Sequence, residues 1–128
     1  MTRLNPYLTV HDGTAAVDFY AAAFGAREVG QRHVEEDGRI GHATLRIGED
    51  EFYLSDEYHE YGAYSPRTLG HCSAAMVLRV DDVDAAYAAE VAAGATVDRE
   101  PSGAEDGERR GWLVDPFGHR WALNSVPA

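Results

Sequence analysis

The chain has 128 residues, 45% of them apolar, and a formal net charge of −11 from 22 acidic and 11 basic side chains. That length suits one compact domain with a single core, expected here over 1–128, and the apolar share excludes a disordered polymer. The negative field repels phosphate backbones, which argues against nucleic acid as a partner, and no apolar run is long enough to cross a bilayer, which argues against a membrane.

In chain order, the opening Met1-Thr2-Arg3-Leu4-Asn5-Pro6 has no hydrophobic stretch of the secretory kind. A first strand is expected from Leu4 to Val10, with Leu4, Pro6, Leu8 and Val10 on one side and Asn5, Tyr7 and Thr9 on the other. A helix follows, roughly from Thr14 to Phe24. Val17, Tyr20, Ala21 and Phe24 share a face at helical spacing, Asp12 or Thr14 can cap the start, and Gly25 suits a left-handed stop. Three strands come next, Val29 to Glu35, Gly41 to Ile47 and Glu51 to Ser55. Turns at Glu36-Asp37-Gly38-Arg39 and Gly48-Glu49-Asp50 separate them.

The stretch at about 56–72 links the halves and is rich in Tyr, Gly and Pro. It is long for a connection, and long loops are often functional. Cys72 is the single cysteine and cannot make an internal disulfide, which points to a reducing, cytoplasmic setting. A strand from Ala74 to Val80 leads into a second helix, roughly Val83 to Ala93. Val83, Tyr87 and Val91 share its inner face, Asp81 or Asp82 caps it, and Gly94 ends it. Strands Thr96 to Glu100, Arg110 to Asp115 and Trp121 to Ser125 complete the chain, with Asp115-Pro116-Phe117-Gly118 a strong turn signal. The mixed charges around Gly107 (Glu105, Asp106, Glu108, Arg109, Arg110) read as a solvated turn.

Each half reads β-α-β-β-β, and Val10 and Gly25 of the first match Val80 and Gly94 of the second, one supersecondary unit used twice. The expected fold class is α+β. Two βαβββ modules with curved mixed sheets form a pseudo-twofold internal repeat, module one at about 1–56 and module two at about 73–128.

At this point the sequence resembles a family. Trp112-Leu113-Val114-Asp115-Pro116-Phe117-Gly118-His119-Arg120-Trp121 is similar to the D-P-x-G hairpin of the glyoxalase/bleomycin-resistance/dioxygenase (vicinal-oxygen-chelate) superfamily. Asp81-Asp82-Val83-Asp84-Ala85-Ala86 with Ala92-Ala93-Gly94-Ala95 resembles its second-module helix, and Asp18-Phe19-Tyr20 with Ala23-Phe24-Gly25 resembles the first. Gly41-His42-Ala43-Thr44-Leu45-Arg46-Ile47-Gly48 followed by Leu54-Ser55-Asp56 looks like the PhnB-like or bleomycin-resistance-like members.

The resemblance implies four metal-ligand positions, at the start of the first strand and in the last strand of each module. They fall at or near Asn5, Tyr53, Ala75 and Ala122. Two alanines offer no donor, and an amide and a phenol are poor substitutes for imidazole and carboxylate. No metal and no other cofactor are expected. The resemblance also implies a ligand cleft on the concave side of the sheet. Because Ala43, Leu45 and Ile47 alternate with His42, Thr44 and Arg46, the latter should face that cleft, joined by Asn5, Tyr7, Thr9 and Tyr53.

The candidate ligand-binding residues are therefore Asn5, Tyr7, His42, Thr44, Tyr53 and Trp112. His42 is the best candidate acid or base, with a hydrogen-bonded strand histidine as the plain alternative. Trp112 can stack on a planar or cationic ligand or pack in the core. Tyr58, His59, Tyr61, Tyr64 and His71 can form a lid, a subunit contact or a loop packed on itself. His33, His59, His71 and His119 have no metal-like spacing, and Cys72 reads as a packed residue. No Ser-His-Asp pattern, phosphate loop or dinucleotide fingerprint is present.

The resemblance implies a small-molecule-binding protein that sequesters an antibiotic or an aromatic or cationic metabolite, acting as a homodimer. Two alternatives stay open: a lyase, isomerase or dioxygenase-like enzyme using the same cleft, and a structural or regulatory dimer.

Overall fold

The computed structural model describes residues 1–103 and 107–125, so Glu105 and Asp106 of the charged turn lie outside the described residues. The chain divides into two compact units, Met1–Gly70 and His71–Ala128. The first contains β1 (Tyr7–Thr9), α1 (Gly13–Phe24), β2 (Arg27–Val34), β3 (Ile40–Ile47), β4 (Asp50–Ser55) and a short α2 (Pro66–Leu69). The second contains β5 (Ala75–Arg79), α3 (Val83–Ala93), β6 (Thr96–Gly103), β7 (Arg109–Val114) and β8 (Arg120–Ser125). The sheet orders are β1-β4-β3-β2 and β5-β8-β7-β6, and in each the first strand pairs parallel with the last. The α+β fold of two βαβββ modules is thus present, with the same topology twice. Among the described residues, no helix is long and apolar enough to cross a membrane.

Local chemistry explains the helix limits. Asp12 and Asp82 each accept from a backbone N–H three residues on, Ala15 and Ala85, at 3.1 Å. These side chains satisfy donors that the first helical turn leaves unpaired. Gly25 closes α1 at φ 67°, where a side chain would be strained. Helix α1 buries Ala16, Val17, Phe19, Tyr20 and Ala23 against the sheet face that carries Leu8, Ala43, Leu45, Phe52 and Leu54. Tyr20 meets Phe52 edge to face at 5.4 Å. Ala21, expected on the inner face, is exposed, because the buried stripe runs through Phe19 and Ala23 instead.

Two aspartates tie turns to the framework. The Asp56 carboxylate accepts from Gly13 N and from Ile40 N, both at 2.6 Å, joining the start of α1 to the start of β3. In the second unit, Asp115 Oδ1 accepts from Phe117 N and His119 N, and Oδ2 from Trp121 Nε1 at 2.9 Å. The Asp-Pro-Phe-Gly turn is therefore locked by its own first residue.

Helix α3 differs from its expected reading. Its inner stripe is Val83, Tyr87 and Glu90, while Val91 is only half-buried. Glu90 is 1% exposed and neither carboxylate oxygen has a hydrogen-bond partner among the described residues. Burial without a partner penalises the charged form and pushes its pKa up to about 8. Strand β6 also runs three residues beyond the expected Glu100, to Gly103, with the pairing to β7 slipping twice along the way.

Two stability predictions follow from these groups. Asn at position 56 would present an amide NH₂ to one of two backbone donors, so Asp56→Asn should cost about 1–3 kcal/mol in denaturant unfolding. For Glu90 the native pKa is raised above the unfolded value near 4.5. The native state therefore holds an extra proton between these values, and stability falls as pH rises from about 4.5 to about 8. Glu90→Met should remove that slope and raise stability above pH 8 by roughly 5 kcal/mol. A pH-stability profile of the variant parallel to that of the parent would refute the assignment.

Candidate functional site

The open face of the first sheet, opposite α1, carries Tyr7 on β1, His42 and Thr44 on β3 and Tyr53 on β4. Strand register places them side by side: Tyr7 pairs with Tyr53, and Tyr53 with Thr44. Tyr7, His42 and Tyr53 form a mutual ring cluster with centroids 5.4 Å (Tyr7–His42), 5.6 Å (Tyr7–Tyr53) and 5.1 Å (His42–Tyr53) apart.

A hydrogen-bond chain runs through the cluster. The Tyr7 hydroxyl lies 3.1 Å from Gly41 O and 3.0 Å from His42 Nδ1, and His42 Nε2 lies 2.9 Å from Thr44 Oγ1. A carbonyl can only accept, so the assignment that satisfies every partner has Tyr7 donate to Gly41 O, His42 Nδ1–H donate to Tyr7, and Thr44 donate to His42 Nε2. Both imidazole nitrogens are then engaged. Burial of the Tyr7 hydroxyl raises its pKa above the ordinary phenol value, and a hydrogen bond with Ser55 offsets part of that.

Beside this cluster opens a cleft of about 520 Å³. Its walls are Tyr7 and Thr9 of β1, His33 and Glu35 at the end of β2, Gly41 of β3, Ser55 of β4, and Tyr58, Tyr61 and Ala63 of the loop that follows. His33 Nε2 sits 3.2 Å from Glu35 Oε1. The wall is close-packed at Gly41: a Cβ there would lie 2.9 Å from His33 Cδ2 and 3.3 Å from the Tyr58 hydroxyl.

The loop wall is held by Glu57 and Arg39. Glu57 accepts from Ser65 N at 2.7 Å and pairs with His59 at 3.4 Å. Burial pushes its pKa up, but bonds from Thr68, Ser65 and His59 outweigh that and lower it to about 2. The Arg39 guanidinium lies over the Tyr58 ring, 4.0 Å from the centroid, and donates to Glu57 O. The Tyr58 hydroxyl is buried without a hydrogen-bond partner among the described residues, and burial first, then the Glu35 charge, raises its pKa. His59 stacks on Tyr64 at 4.5 Å. The loop thus packs on its own aromatics and also forms one wall of the cleft.

Of the residues singled out from the sequence, Tyr7 lines the cleft, with His42 directly behind it. Thr44 and Tyr53 support His42 on the same face, and Asn5 donates to Glu51 O. Trp112 belongs to the second unit, on the sheet face opposite α3, so its side chain is not in the core that Leu113 and Trp121 fill. From the sequence, His33 reads only as a histidine without metal-like spacing, and Glu35 has no role in the cleft. They reach the cleft because the β2–β3 pairing slips between Val29 and His33, where Gly30 adopts φ 70°. A glycine inside a strand is the signal of such a bulge.

The fold's usual divalent metal does not fit. By register, Asn5 and Tyr53 lie on the first open face, and Ala75 and Ala122 on the second. An amide already donating to a carbonyl, a phenol and two methyl groups do not make a zinc or iron shell. Among the described residues, no group of three or more His, Cys, Asp or Glu side chains is placed to hold a metal ion.

Comparison with known proteins gives a consistent picture. The sequence model of the Glyoxalase/Bleomycin resistance protein/Dioxygenase superfamily matches residues 3–123. An uncharacterized protein of Mycobacterium bovis is 39% identical over 123 residues, 94% of this chain and 80% of its own length. Among solved structures, TioX from Micromonospora sp. ML1 superposes with a TM-score of 0.73 at 24% identity, over 99% of this chain and 98% of its own. A PhnB protein from Bacillus cereus, described as a putative 3-demethylubiquinone-9 3-methyltransferase, superposes with a TM-score of 0.72 at 18% identity, over 98% and 100%.

The loop wall should be acid-sensitive. Because Glu57 is depressed in the folded state, its contribution is complete above pH 4.5 and is lost as pH falls through about 2. Glu57→Gln should lower the melting temperature at neutral pH and erase that acid-dependent loss. Equal acid sensitivity of variant and parent would show that Glu57 does not hold the loop.

Proposed function

The chain belongs to the Glyoxalase/Bleomycin resistance protein/Dioxygenase superfamily, and on that footing we propose that it binds a small aromatic or cationic molecule in the first unit's cleft, without a divalent metal. The observation that carries this reading is the lining of the cleft. Tyr7, Tyr58 and Tyr61 offer flat apolar surface with polar tips, and Glu35 supplies a carboxylate beside them. The volume of about 520 Å³ suits a drug-sized ligand, as pockets of roughly 300–1,000 Å³ do. Sequestration, as of an antibiotic, is the purpose that the family name supports. Binding is favoured over catalysis because His42, the best acid–base candidate, has both ring nitrogens engaged, leaving Tyr7 as the member of the chain that reaches the cleft.

The same reading takes the protein as a cytoplasmic homodimer. Val34, Val77 and Val97 are exposed on β2, β5 and β6, each an outermost strand of its sheet, and a paired subunit would cover such positions. Sedimentation at micromolar concentration checks this, and a mass of 14.0 kDa alone would overturn it.

The binding test is a thermal-shift screen with a cationic glycopeptide, aromatic cations and vicinal diketones. A ligand at about 100 times its dissociation constant should stabilise the fold by about 2.7 kcal/mol. Tyr61→Ala and Glu35→Gln should each weaken a hit about tenfold, as loss of a stacking face or a charged partner does. A hit indifferent to both substitutions would remove the cleft from consideration. Turnover of a hit that disappears in Tyr7→Phe and His42→Ala would replace the binding reading with an enzymatic one.

A further inference from the structure

The open face of the second sheet carries a different chemistry. Register puts Trp112 of β7 beside Arg99 of β6 on one flank and Ala122 of β8 on the other, with Arg120 two residues before Ala122. Both guanidinium carbons lie over the Trp112 ring, each 5.1 Å from its centroid. They come from strands on opposite sides of β7 and stand no further apart than twice that distance. Arg79 of β5 shares the face, paired in register with Asn124.

Arg99 and Arg120 differ from the ion-paired arginines in what holds them. The chain has 22 acidic and 11 basic side chains, so carboxylates are plentiful. Arg32, Arg39, Arg46, Arg109 and Arg110 each pair with one. Among the described residues, Arg79, Arg99 and Arg120 meet none at ion-pair distance. Arg99 and Arg120 are held by the indole instead. Stacking on an aromatic face fixes the guanidinium plane and leaves its N–H donors directed outward at the ring's rim. A pair of oriented guanidinium forks, with no carboxylate at ion-pair distance among the described residues, matches the planar geometry of an oxyanion.

We propose that this face is an oxyanion-binding site, with Arg99 and Arg120, oriented by Trp112, receiving a carboxylate or phosphate group of a small molecule, and with Arg79 adding to the local positive field. The site rests on the second unit alone, so it stands or falls separately from the cleft of the first.

The full chain labelled with 5-fluorotryptophan gives one fluorine signal for Trp112 and one for Trp121, the latter buried and bonded to Asp115. Benzoate and inorganic phosphate are titrated at constant ionic strength, with chloride as control. A saturable shift of the Trp112 signal, with Trp121 unmoved, is expected for at least one of them. Tighter benzoate binding assigns a planar carboxylate, and tighter phosphate binding a phosphate ester. Arg99→Gln with Arg120→Gln should weaken binding about tenfold or more, as loss of charge-assisted hydrogen bonds does, while an unchanged Trp121 signal reports an intact fold. If the double variant does not fold, each single substitution should still weaken binding. The proposal is overturned by a shift that does not saturate, by one that chloride reproduces, or by one that survives the substitutions. A Trp112 shift that depends on protein concentration without any anion would also overturn it, by showing that a second copy covers the face.

Discussion

The carboxylate of Asp56 is where the first unit is tied together. Its two oxygens take the backbone N–H of Gly13 and that of Ile40, each at 2.6 Å, immediately after β4 ends. One residue therefore fixes the start of the helix, the start of β3 and the exit of β4. The helix N-terminus favours a negative charge, so the contact is electrostatically matched as well as hydrogen-bonded. Gly13 is tightly enclosed: a Cβ would lie 3.0 Å from the Asp56 carboxylate, so a side chain would press on it. The cleft inherits this geometry, since Gly41 and Ser55, both in its wall, are next in sequence to Ile40 and Asp56.

Glu57 continues the arrangement in the opposite direction. Asp56 reaches back to the framework, and Glu57 reaches out to Ser65 N and the loop. Two adjacent acids thus divide the work of closing the unit. The loop's tyrosines become a wall rather than a tether because Arg39 stacks on Tyr58 while bonding Asp37 and Glu57. Much of the excess negative charge of this chain is solvated surface, but these two carboxylates are structural.

The two units share a topology and differ in what they place on it. The first covers part of its open face with an aromatic cluster in which Tyr7 and His42 bond each other, Gly41 O and Thr44. The second leaves a carboxylate unpaired beneath its helix, at Glu90, and sets arginines around a tryptophan on its open face. Uncompensated polar groups inside a small protein reduce stability and persist where something else requires them. The superfamily shares a fold, whereas the chemistry of a member resides in the side chains grafted on each sheet.

The local grammar of the fold was legible in the sequence. Asp12, Gly25, Asp82, Gly94 and the Asp-Pro-Phe-Gly turn act on neighbours a few residues away, so their effect follows from spacing alone. Alternation along β1, β3 and β4 likewise assigned Tyr7, His42, Thr44 and Tyr53 to one face, because a strand turns successive side chains to opposite sides. Only the tertiary structure decided the rest. It brought His33 and Glu35 into the cleft through a bulge at Gly30, buried Glu90 in place of Val91, and folded the 56–72 loop around Glu57. It also seated Arg99 and Arg120 on Trp112. Each of these depends on which distant segment lies alongside, and a pairing slip of one residue reverses the face that every later side chain occupies. That information resides in the packing of strand against strand, which no window of neighbouring residues contains.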